Sequence, residues 1–196
     1  MRTNQTNLRR TGSGENYFYT TVQSPLGELL LIAHASALTG LYFTARLPKR
    51  DDRWILDARH PVLGVAAVQL QEYFAGKRYT FSVPLQPLGT PFQENIWREI
   101  ARIPYGETLS YSTLAKRAGA PRAIRAAGTA TGQNPISIII PCHRVMGKDG
   151  SLCGFAGGLD RKRHLLALER TSSDLTPAFN QRISQRARYA GPTRLG

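Results

Sequence analysis

The chain has 196 residues, and its 26 lysines and arginines against 13 aspartates and glutamates give a formal net charge of +13. This length allows one good hydrophobic core or two small ones, and no apolar run approaches the roughly 20 residues of a membrane-spanning helix. Two cysteines, Cys142 and Cys153, make no disulfide framework, and no zinc-ligand spacing such as Cys-x-x-Cys is present. We therefore expect no metal, no cofactor and no membrane partner. Because no apolar signal segment follows Met1, we also expect an intracellular, cytoplasmic protein.

The first half of the chain predicts a small α/β domain. Residues 1–16 are polar and basic, a composition typical of a disordered tail. Strand-like and helix-like patterns follow, and they predict strands at 17–22, 28–35 and 41–43 in an antiparallel meander, a helix from Pro61 to Gly76, and a last strand at 79–83. The Pro-Leu-Gln-Pro segment at 84–87 is a linker, so the N-terminal domain spans residues 17–87.

The second half of the chain predicts a helical domain over residues 88–170. Thr90 is a hydroxyl cap followed by proline, and Gln93 stands where a capping box requires it. The first helix buries an apolar stripe made by Phe92, Ile96, Ile100 and Ile103. Ser110 caps a second helix that runs from Tyr111 to Ala118, and Gly119 ends it. Residues 171–196 form a basic tail.

Two short helices joined by a glycine predict a helix-turn-helix. Pro121 begins its second helix, which carries Arg122 and Arg125 and which we call the reading helix. Residues 88–170 hold 12 basic and 6 acidic side chains, a net +6, which favours a polyanionic partner. Binding to a membrane surface, or a need for solubility alone, would explain the same positive charge equally well. Asp149-Gly150 predicts the turn of a hairpin or wing.

The pair Cys142-His143 is the strongest candidate for chemistry. A thiol at the end of the apolar run 138–140 is held rigidly, and a nearby imidazole helps to make the thiolate that attacks. Free cysteines often only fill space in a core, so the catalytic interpretation of this pair depends on the motifs around it. The helix-turn-helix precedes it, and a glycine-rich loop at 154–158 and a helix with Glu169 follow it.

These motifs, in this order and spacing, resemble the O(6)-alkylguanine-DNA alkyltransferase (methylated-DNA–protein-cysteine methyltransferase) family. The matching residues between about 90 and 170 are Pro-Tyr-Gly-Glu-Thr at 104–108, Ser110-Tyr111, Arg125, Asn134-Pro135, Pro-Cys-His-Arg-Val at 141–145, Gly157-Gly158-Leu159 and Leu-Leu-Ala-Leu-Glu at 165–169. The resemblance implies a ribonuclease-H-like antiparallel sheet with a helix, followed by a winged-helix-like catalytic domain. It also implies irreversible transfer of an alkyl group from guanine in double-stranded DNA to Cys142, by a monomer acting once.

The resemblance also assigns roles to individual residues. Cys142 is the nucleophile, His143 its base through a water, Glu169 the carboxylate that orients the imidazole, and Tyr111 the donor to the departing guanine. The loop residues Phe155, Ala156 and Gly157 receive the base, and the Ala156 amide can bond the guanine oxygen. Asn134 ties the reading helix to the active-site segment.

Arg125 corresponds to the residue that enters the space vacated when the damaged nucleotide rotates out of the stack, and the resemblance places the helix-turn-helix in the minor groove. Without the resemblance, a phosphate contact is the default for an arginine such as Arg125, and spacing alone would place the helix-turn-helix in the major groove. Likewise, Tyr111 could pack in a core, and Glu169 could be a solvated helix-end residue.

Three other functions remain open at this stage. A non-catalytic sensor of alkylated DNA would lack the cysteine, and a helix-turn-helix regulator would need an effector domain that is not visible. A cysteine hydrolase would need an oxyanion hole and would leave the DNA-directed features unexplained.

Overall fold

The computed structural model describes residues 16–44 and 54–174. The first half folds as strands β1 Tyr17–Val22, β2 Leu29–His34, β3 Ala37–Phe43 and β4 Trp54–Leu56, followed by helix α1 Pro61–Phe74. The second half contains helices α2 Pro91–Ala101, α3 Tyr111–Arg117, α4 Ile124–Gly132 and α5 Leu159–Asp174, together with the two-residue strands β5 Leu109–Ser110 and β6 Val145–Met146. The predicted α/β class, with a sheet domain before a helical domain, is confirmed.

The N-terminal sheet has the strand order β3-β2-β1-β4. The three predicted strands form antiparallel pairs, whereas β4 was not predicted and pairs with β1 in parallel. Strand β2 is buried on both faces, because Leu29 and Leu31 face α1 while Leu30 and Ile32 pack in a second cluster with Trp54. Helix α1 covers the first of these faces, and the core on this side of the sheet continues into the second half of the chain.

The strand predicted at 79–83 is wrong. The backbone N–H of Ser82 donates to the side chain of Gln69 on α1 at 2.9 Å, so this donor is not free for a ladder. Instead the linker lies along β3, where the N–H of Leu38 donates to the carbonyl of Pro84 at 2.8 Å. Residues 79–83 have alternating apolar side chains, but they pack onto the sheet domain without forming a strand of its sheet.

Helix α2 begins as predicted. Thr90 and Gln93 form a complete capping box, with the Thr90 N–H donating to the Gln93 side chain at 2.7 Å and the Gln93 N–H to the Thr90 hydroxyl at 3.3 Å. The buried Trp97 donates from its indole N–H to the carbonyl of Ala130 at 2.8 Å, which ties α2 to α4. Of the predicted apolar stripe, Phe92 is only half-buried.

The helix-turn-helix is formed by α3 and α4, but its second helix starts later than predicted. Ser110 accepts the N–H of Thr113 and caps α3 as expected. Pro121 and Arg122 lie in a turn closed by a bond from the Ala123 N–H to the Ala120 carbonyl at 2.9 Å, and α4 begins at Ile124. Arg122 therefore precedes the reading helix.

The predicted turn at Asp149-Gly150 exists, but no hairpin flanks it among the described residues. Gly147 donates its N–H to Ser151 at 2.9 Å, and Ser151 donates to the Asp149 carboxylate. Strand β6 pairs with β5 in parallel. Helix α5 runs to Asp174, so the boundary predicted after Arg170 falls inside a helix.

The two halves share one hydrophobic core. Strand β3 meets the segment before Cys142, since the N–H of Leu41 donates to Pro135 at 2.8 Å and the N–H of Ser137 donates to Leu41 at 3.0 Å. Side chains of α1, α2 and the 136–140 segment continue this core. Among the described residues, no helix is long and apolar enough to cross a membrane.

Candidate active site

Cys142 stands at the end of the buried run of Ile138, Ile139 and Ile140 and is itself 3% exposed. It does not continue a strand, because residues Cys142–Arg144 form a turn of 3-10 helix. Consecutive side chains in such a turn are about 120° apart, whereas in an extended strand they would point to opposite faces.

His143 is fully buried and paired with Glu169. Its Nε2 lies 2.9 Å from Oε1 of Glu169, so the carboxylate fixes the proton on Nε2 and leaves Nδ1 as the basic nitrogen. Nδ1 is buried and has no hydrogen-bond partner within the part of the chain that the structure describes. Burial lowers the pKa of His143 even though Glu169 opposes that shift. The imidazole is therefore neutral at pH 7 and can accept a proton.

Glu169 is 1% exposed and accepts hydrogen bonds from several directions. Arg144 donates from Nε to Oε2 at 2.8 Å and from Nη2 to Oε1 at 2.9 Å, and the Gly106 N–H donates to Oε2 at 3.2 Å. The hydroxyl of Tyr73 on α1 donates to Oε1 at 2.8 Å. Burial alone would raise the pKa of Glu169, but His143 and Arg144 lower it well below its usual range. The residue is a buried, ionised carboxylate and not a solvated helix end.

The thiol of Cys142 is protonated at rest. Burial raises its pKa, although a hydrogen bond from Asn134 and the charge of Lys162 act in the opposite direction. A reaction that needs the thiolate must therefore move the proton to a neighbouring base, and His143 has the available nitrogen.

Asn134 connects the end of α4 to the active-site segment, as predicted from its position. Its side-chain amide donates to the carbonyl of Ile140 at 2.7 Å, and its oxygen accepts the N–H of Ile136 at 3.0 Å. Asn134 is 5% exposed. These two bonds hold the chain that leads into Cys142, so Asn134 fixes the backbone from which the thiol projects.

Tyr111 is the first residue of α3 and is half-buried. Its hydroxyl donates to the carbonyls of Cys153 and Gly154, each at 3.3 Å. Burial raises the pKa of Tyr111 to about 12, and the nearby Cys153 and Cys142 add to the shift. The phenol thus keeps its proton at neutral pH and can donate it. The side chain of Cys153 is exposed, and its backbone carbonyl accepts hydrogen bonds from Tyr111 and Lys162.

The glycine-rich loop packs its one aromatic side chain into the site. Phe155 is buried, with its ring edge-on to His143 at 6.4 Å between centroids and to Phe43 of β3 at 6.1 Å. Ala156 follows it and is half-buried. At Gly157 an added Cβ would lie 2.6 Å from the Phe155 ring and 2.8 Å from the Phe43 ring, so only glycine fits.

The two arginines predicted to contact DNA lie away from this buried network. Arg125 is exposed on the second residue of α4, and Arg122 is exposed in the turn before it. The small residues Ala126 and Gly128 lie near Arg125 on α4, so the backbone of the helix can approach a duplex closely. The structure therefore pairs His143 with Glu169 and places Tyr111 near Cys142, and it leaves the two arginines predicted to contact DNA on the surface.

Lys162 was missed by the sequence reasoning. It is fully buried and donates from Nζ to the carbonyls of Val145 at 2.6 Å and Cys153 at 2.8 Å. A signal was available, since Lys162 and Glu169 are seven residues apart with Leu165 and Leu166 between them, a spacing that puts all four on one helix face. Arg144 was also missed as a partner of Glu169, although it belongs to the matched motif. Tyr73 had no local signal.

Family models match both halves of the chain. Residues 91–171 match the 6-O-methylguanine DNA methyltransferase DNA binding domain, and residues 17–87 match the ribonuclease-like domain of the same proteins. The chain belongs to the 6-O-methylguanine DNA methyltransferase family. The predicted resemblance is thereby confirmed over both halves, including the first, where only the pattern of elements suggested it.

Curated relatives and solved structures agree with this membership. The constitutive methylated-DNA–protein-cysteine methyltransferase of Bacillus subtilis is 43% identical over 159 residues, covering 79% of this chain and 96% of that protein. The Mycobacterium bovis protein of the same name is 47% identical, covering 81% and 96%. A crystal structure of Mycobacterium tuberculosis OGT in complex with DNA matches this methyltransferase fold with a TM-score of 0.74 and 46% identity, covering 81% of this chain and 98% of that one.

Proposed function

We propose that this protein repairs DNA by transferring the alkyl group of O(6)-alkylguanine to Cys142, once per molecule. The observation that carries the proposal is a buried thiol next to a neutral imidazole whose second nitrogen is held by a buried carboxylate. The DNA-binding-domain match and the relatives named methylated-DNA–protein-cysteine methyltransferase support the same reaction. We further propose that it acts as a monomer inside the cell, since the transfer step as written needs no residue of a second subunit.

The transfer step is a displacement at the alkyl carbon. The proton of the Cys142 thiol moves toward Nδ1 of His143, directly or through a water, and the sulfur attacks the carbon attached to the guanine oxygen. A carbon–sulfur bond forms as the carbon–oxygen bond breaks, and its electron pair leaves with guanine. Glu169 keeps His143 in the tautomer that accepts this proton and stabilises the imidazolium that results.

The departing guanine needs its developing charge neutralised. Tyr111 carries a proton that burial retains, and we assign it as the donor to the guanine ring. The loop at Phe155, Ala156 and Gly157 encloses the base, with the Ala156 N–H available to the guanine oxygen. Asn134 acts by holding the segment before Cys142, so its contribution is positioning.

A guanine in a duplex must leave the stack to reach a buried thiol. Rotation of the nucleotide costs a few kcal/mol and leaves an unpaired partner base. The exposed Arg125 on α4 is the side chain we assign to the vacated space, while Arg122 in the preceding turn contacts phosphate. No metal cluster is found among the described residues, and the proposed steps use none.

The alternatives weighed from the sequence have less support. A non-catalytic sensor would not need a thiol that is buried beside a histidine and a carboxylate. A regulator that uses only α3 and α4 would leave the same network without a purpose. A cysteine hydrolase would require turnover and would not explain the match to a DNA-binding domain.

The test is transfer from a duplex containing O(6)-methylguanine, followed by peptide mapping. Wild-type protein should carry the added methyl group on Cys142. Cys142→Ser should bind the duplex and carry none, whereas the matched control Cys153→Ser, at the exposed cysteine, should react like wild type. Methylation of Cys153, or transfer by Cys142→Ser, would refute the proposal.

A further inference from the structure

Glu169 receives a hydrogen bond from the other half of the molecule. Tyr73 lies on α1, in the ribonuclease-like domain, and is 96 residues from Glu169 in sequence. Its side chain is fully buried, and its hydroxyl donates to Oε1 at 2.8 Å. The ring packs against Phe74, Phe81 and Tyr105, so the hydroxyl has a fixed position.

Oε1 of Glu169 is the crowded oxygen of the carboxylate. It accepts from Tyr73, from Nη2 of Arg144 and from Nε2 of His143, all between 2.8 and 2.9 Å. A carboxylate oxygen has about two lone-pair sites, so these three donors share its charge. Burial, followed by the charge of Glu169, raises the pKa of Tyr73 well above its usual value, and Tyr73 therefore remains a donor at neutral pH.

We propose that Tyr73 is a positioning residue for alkyl transfer: its hydroxyl holds Glu169 in the orientation that keeps Nδ1 of His143 available to the thiol. The ribonuclease-like domain then completes the catalytic network and does more than support the fold. The inference rests on the proposed function, because it requires His143 to be the base.

The proposal predicts a direction for pH dependence. Without the Tyr73 hydroxyl, Oε1 would share its charge with one donor fewer and attract the imidazolium more strongly, so the pKa of His143 would rise. The transfer reaction needs neutral His143, and its rate would begin to fall at a higher pH. The other charged groups near His143 are Arg144 on the same turn and Lys162 on α5, and neither is changed by this substitution.

Helix α2 also packs against the turn that carries His143. Its buried charged residue is Glu99, which is engaged by Arg102. Cys142 is the remaining titratable neighbour on the turn, and because burial raises its pKa, its ionisation affects the high-pH side of the profile. The fall of the transfer rate at low pH, which we call the low-pH limb of the rate profile, therefore reports on the protonation of His143.

The experiment compares Tyr73→Phe with Tyr42→Phe and wild type. Tyr42 lies on β3 beside the second apolar cluster, on the sheet face away from α1, so its substitution removes a hydroxyl without touching Glu169. Single-turnover rates with free O(6)-benzylguanine are measured from pH 5 to pH 9. For Tyr73→Phe we expect the low-pH limb to move up by about 0.5–1 pH unit. For Tyr42→Phe we expect no movement.

A packing variant separates positioning from a purely structural role. Leu63→Val removes a buried methylene group from α1, almost three helical turns from Tyr73, and keeps both the hydroxyl and the rings around it, so it should lower the Tm without moving the limb. An unchanged profile for Tyr73→Phe, or a uniform loss of rate with no shift, would overturn the inference while the proposed function stands. No reaction of wild-type protein with benzylguanine or with alkylated duplex would instead refute the proposed function.

Discussion

The protonation of His143 links the chemistry of the site to the stability of the fold. Burial lowers the pKa of this residue in the folded protein below its ordinary value of 6.5. The unfolded chain therefore binds a proton at a pH where the folded protein does not. The free energy of unfolding should consequently fall as the pH drops below about 6.5, by at most about 1.4 kcal/mol per pH unit for one proton.

Denaturant unfolding at pH 5, 6, 7 and 8 measures this dependence. His143→Asn should flatten the slope between pH 5 and pH 7, and the matched control His164→Asn, at an exposed residue of α5, should keep it. The carboxyl of Glu169, whose pKa is lowered from 4.5, acts in the same direction at more acidic pH. Equal slopes in wild type and His143→Asn would contradict the assignment of a buried neutral imidazole.

Arg125 and Arg122 should have separable effects on repair. Arg125→Ala should slow transfer from duplex DNA by about tenfold or more, because extrusion of the nucleotide costs a few kcal/mol. It should leave the rate of reaction with free O(6)-benzylguanine within about twofold of wild type, because the free base is not stacked. Rates at saturating duplex and with the free base measure the difference.

Arg122→Ala serves as the comparison for Arg125→Ala. Loss of one phosphate contact should weaken binding to damaged and undamaged duplex alike and reduce the log-log salt slope by about 0.9, with the saturating rate unchanged. If Arg125→Ala lowered both rates equally, the residue would be supporting the pocket or the fold, and its role in extrusion would be wrong.

At the residue scale, the sequence identified most of the site. Cys142, His143 and Glu169 stand in motifs whose order is informative, and the structure places Cys142 and His143 on one buried turn and pairs His143 with Glu169. Tyr73 could not be found in this way. Its position in α1 predicts only that it is buried, and its contact with Glu169 depends on how two halves of the chain pack.

At the element scale, the loop at 154–158 is held by residues from both halves. Arg161 of α5 donates to the carbonyl of Leu26 at 2.9 Å and to the carbonyl of Gly157 at 2.8 Å, and its guanidinium lies 4.9 Å from the centre of the Phe43 ring. Phe43 in turn packs against Phe155. The loop geometry thus depends on β3 and on the turn between β1 and β2.

Gly157→Ala tests this dependence. The new methyl group must displace the ring of Phe155 or Phe43, which should cost about 1–3 kcal/mol in the free energy of unfolding. It should also slow the reaction with free O(6)-benzylguanine, because Phe155 contacts the site. Thermal unfolding and single-turnover rates measure the two effects.

Gly64→Ala in α1 is the matched control for Gly157→Ala. No atom outside its own helix lies within 4 Å of the new Cβ, so the substitution should stabilise the helix by roughly 0.5–1 kcal/mol and leave the rate unchanged. A Gly157→Ala protein with wild-type stability and rate would show that the loop adapts freely and does not hold the base.

Elements with strong local signals were predicted well, and those that depend on a partner were not. The capping box at Thr90 and Gln93 contains its own hydrogen bonds, so α2 begins where the sequence indicates. Strand β4 has three residues and exists only through pairing with β1. The segment at 79–83 has the composition of a strand, yet α1 takes a backbone donor that the ladder would need.

At the scale of the whole molecule, the two halves of the chain share one core and meet at the candidate active site. The ribonuclease-like half contributes Tyr73 to Glu169 and Phe43 to the loop, and β3 pairs with the segment that leads to Cys142. The sequence predicted two domains with a linker and gave no sign of this shared core. The reason is physical, since the contacts join residues about 100 positions apart.

The proposed reaction is a single transfer to one cysteine, and the stoichiometry of alkyl transfer is its most direct test. Protein is mixed with increasing amounts of duplex that contains O(6)-methylguanine, and repaired guanine and intact-protein mass are measured together. A thioether is too poor a leaving group to restore the thiol, so we predict that both quantities reach a plateau at one methyl group per protein, located on Cys142. Repaired guanine in excess of protein, or a protein mass that does not change as guanine is repaired, would show that the protein does not act by a single transfer to Cys142.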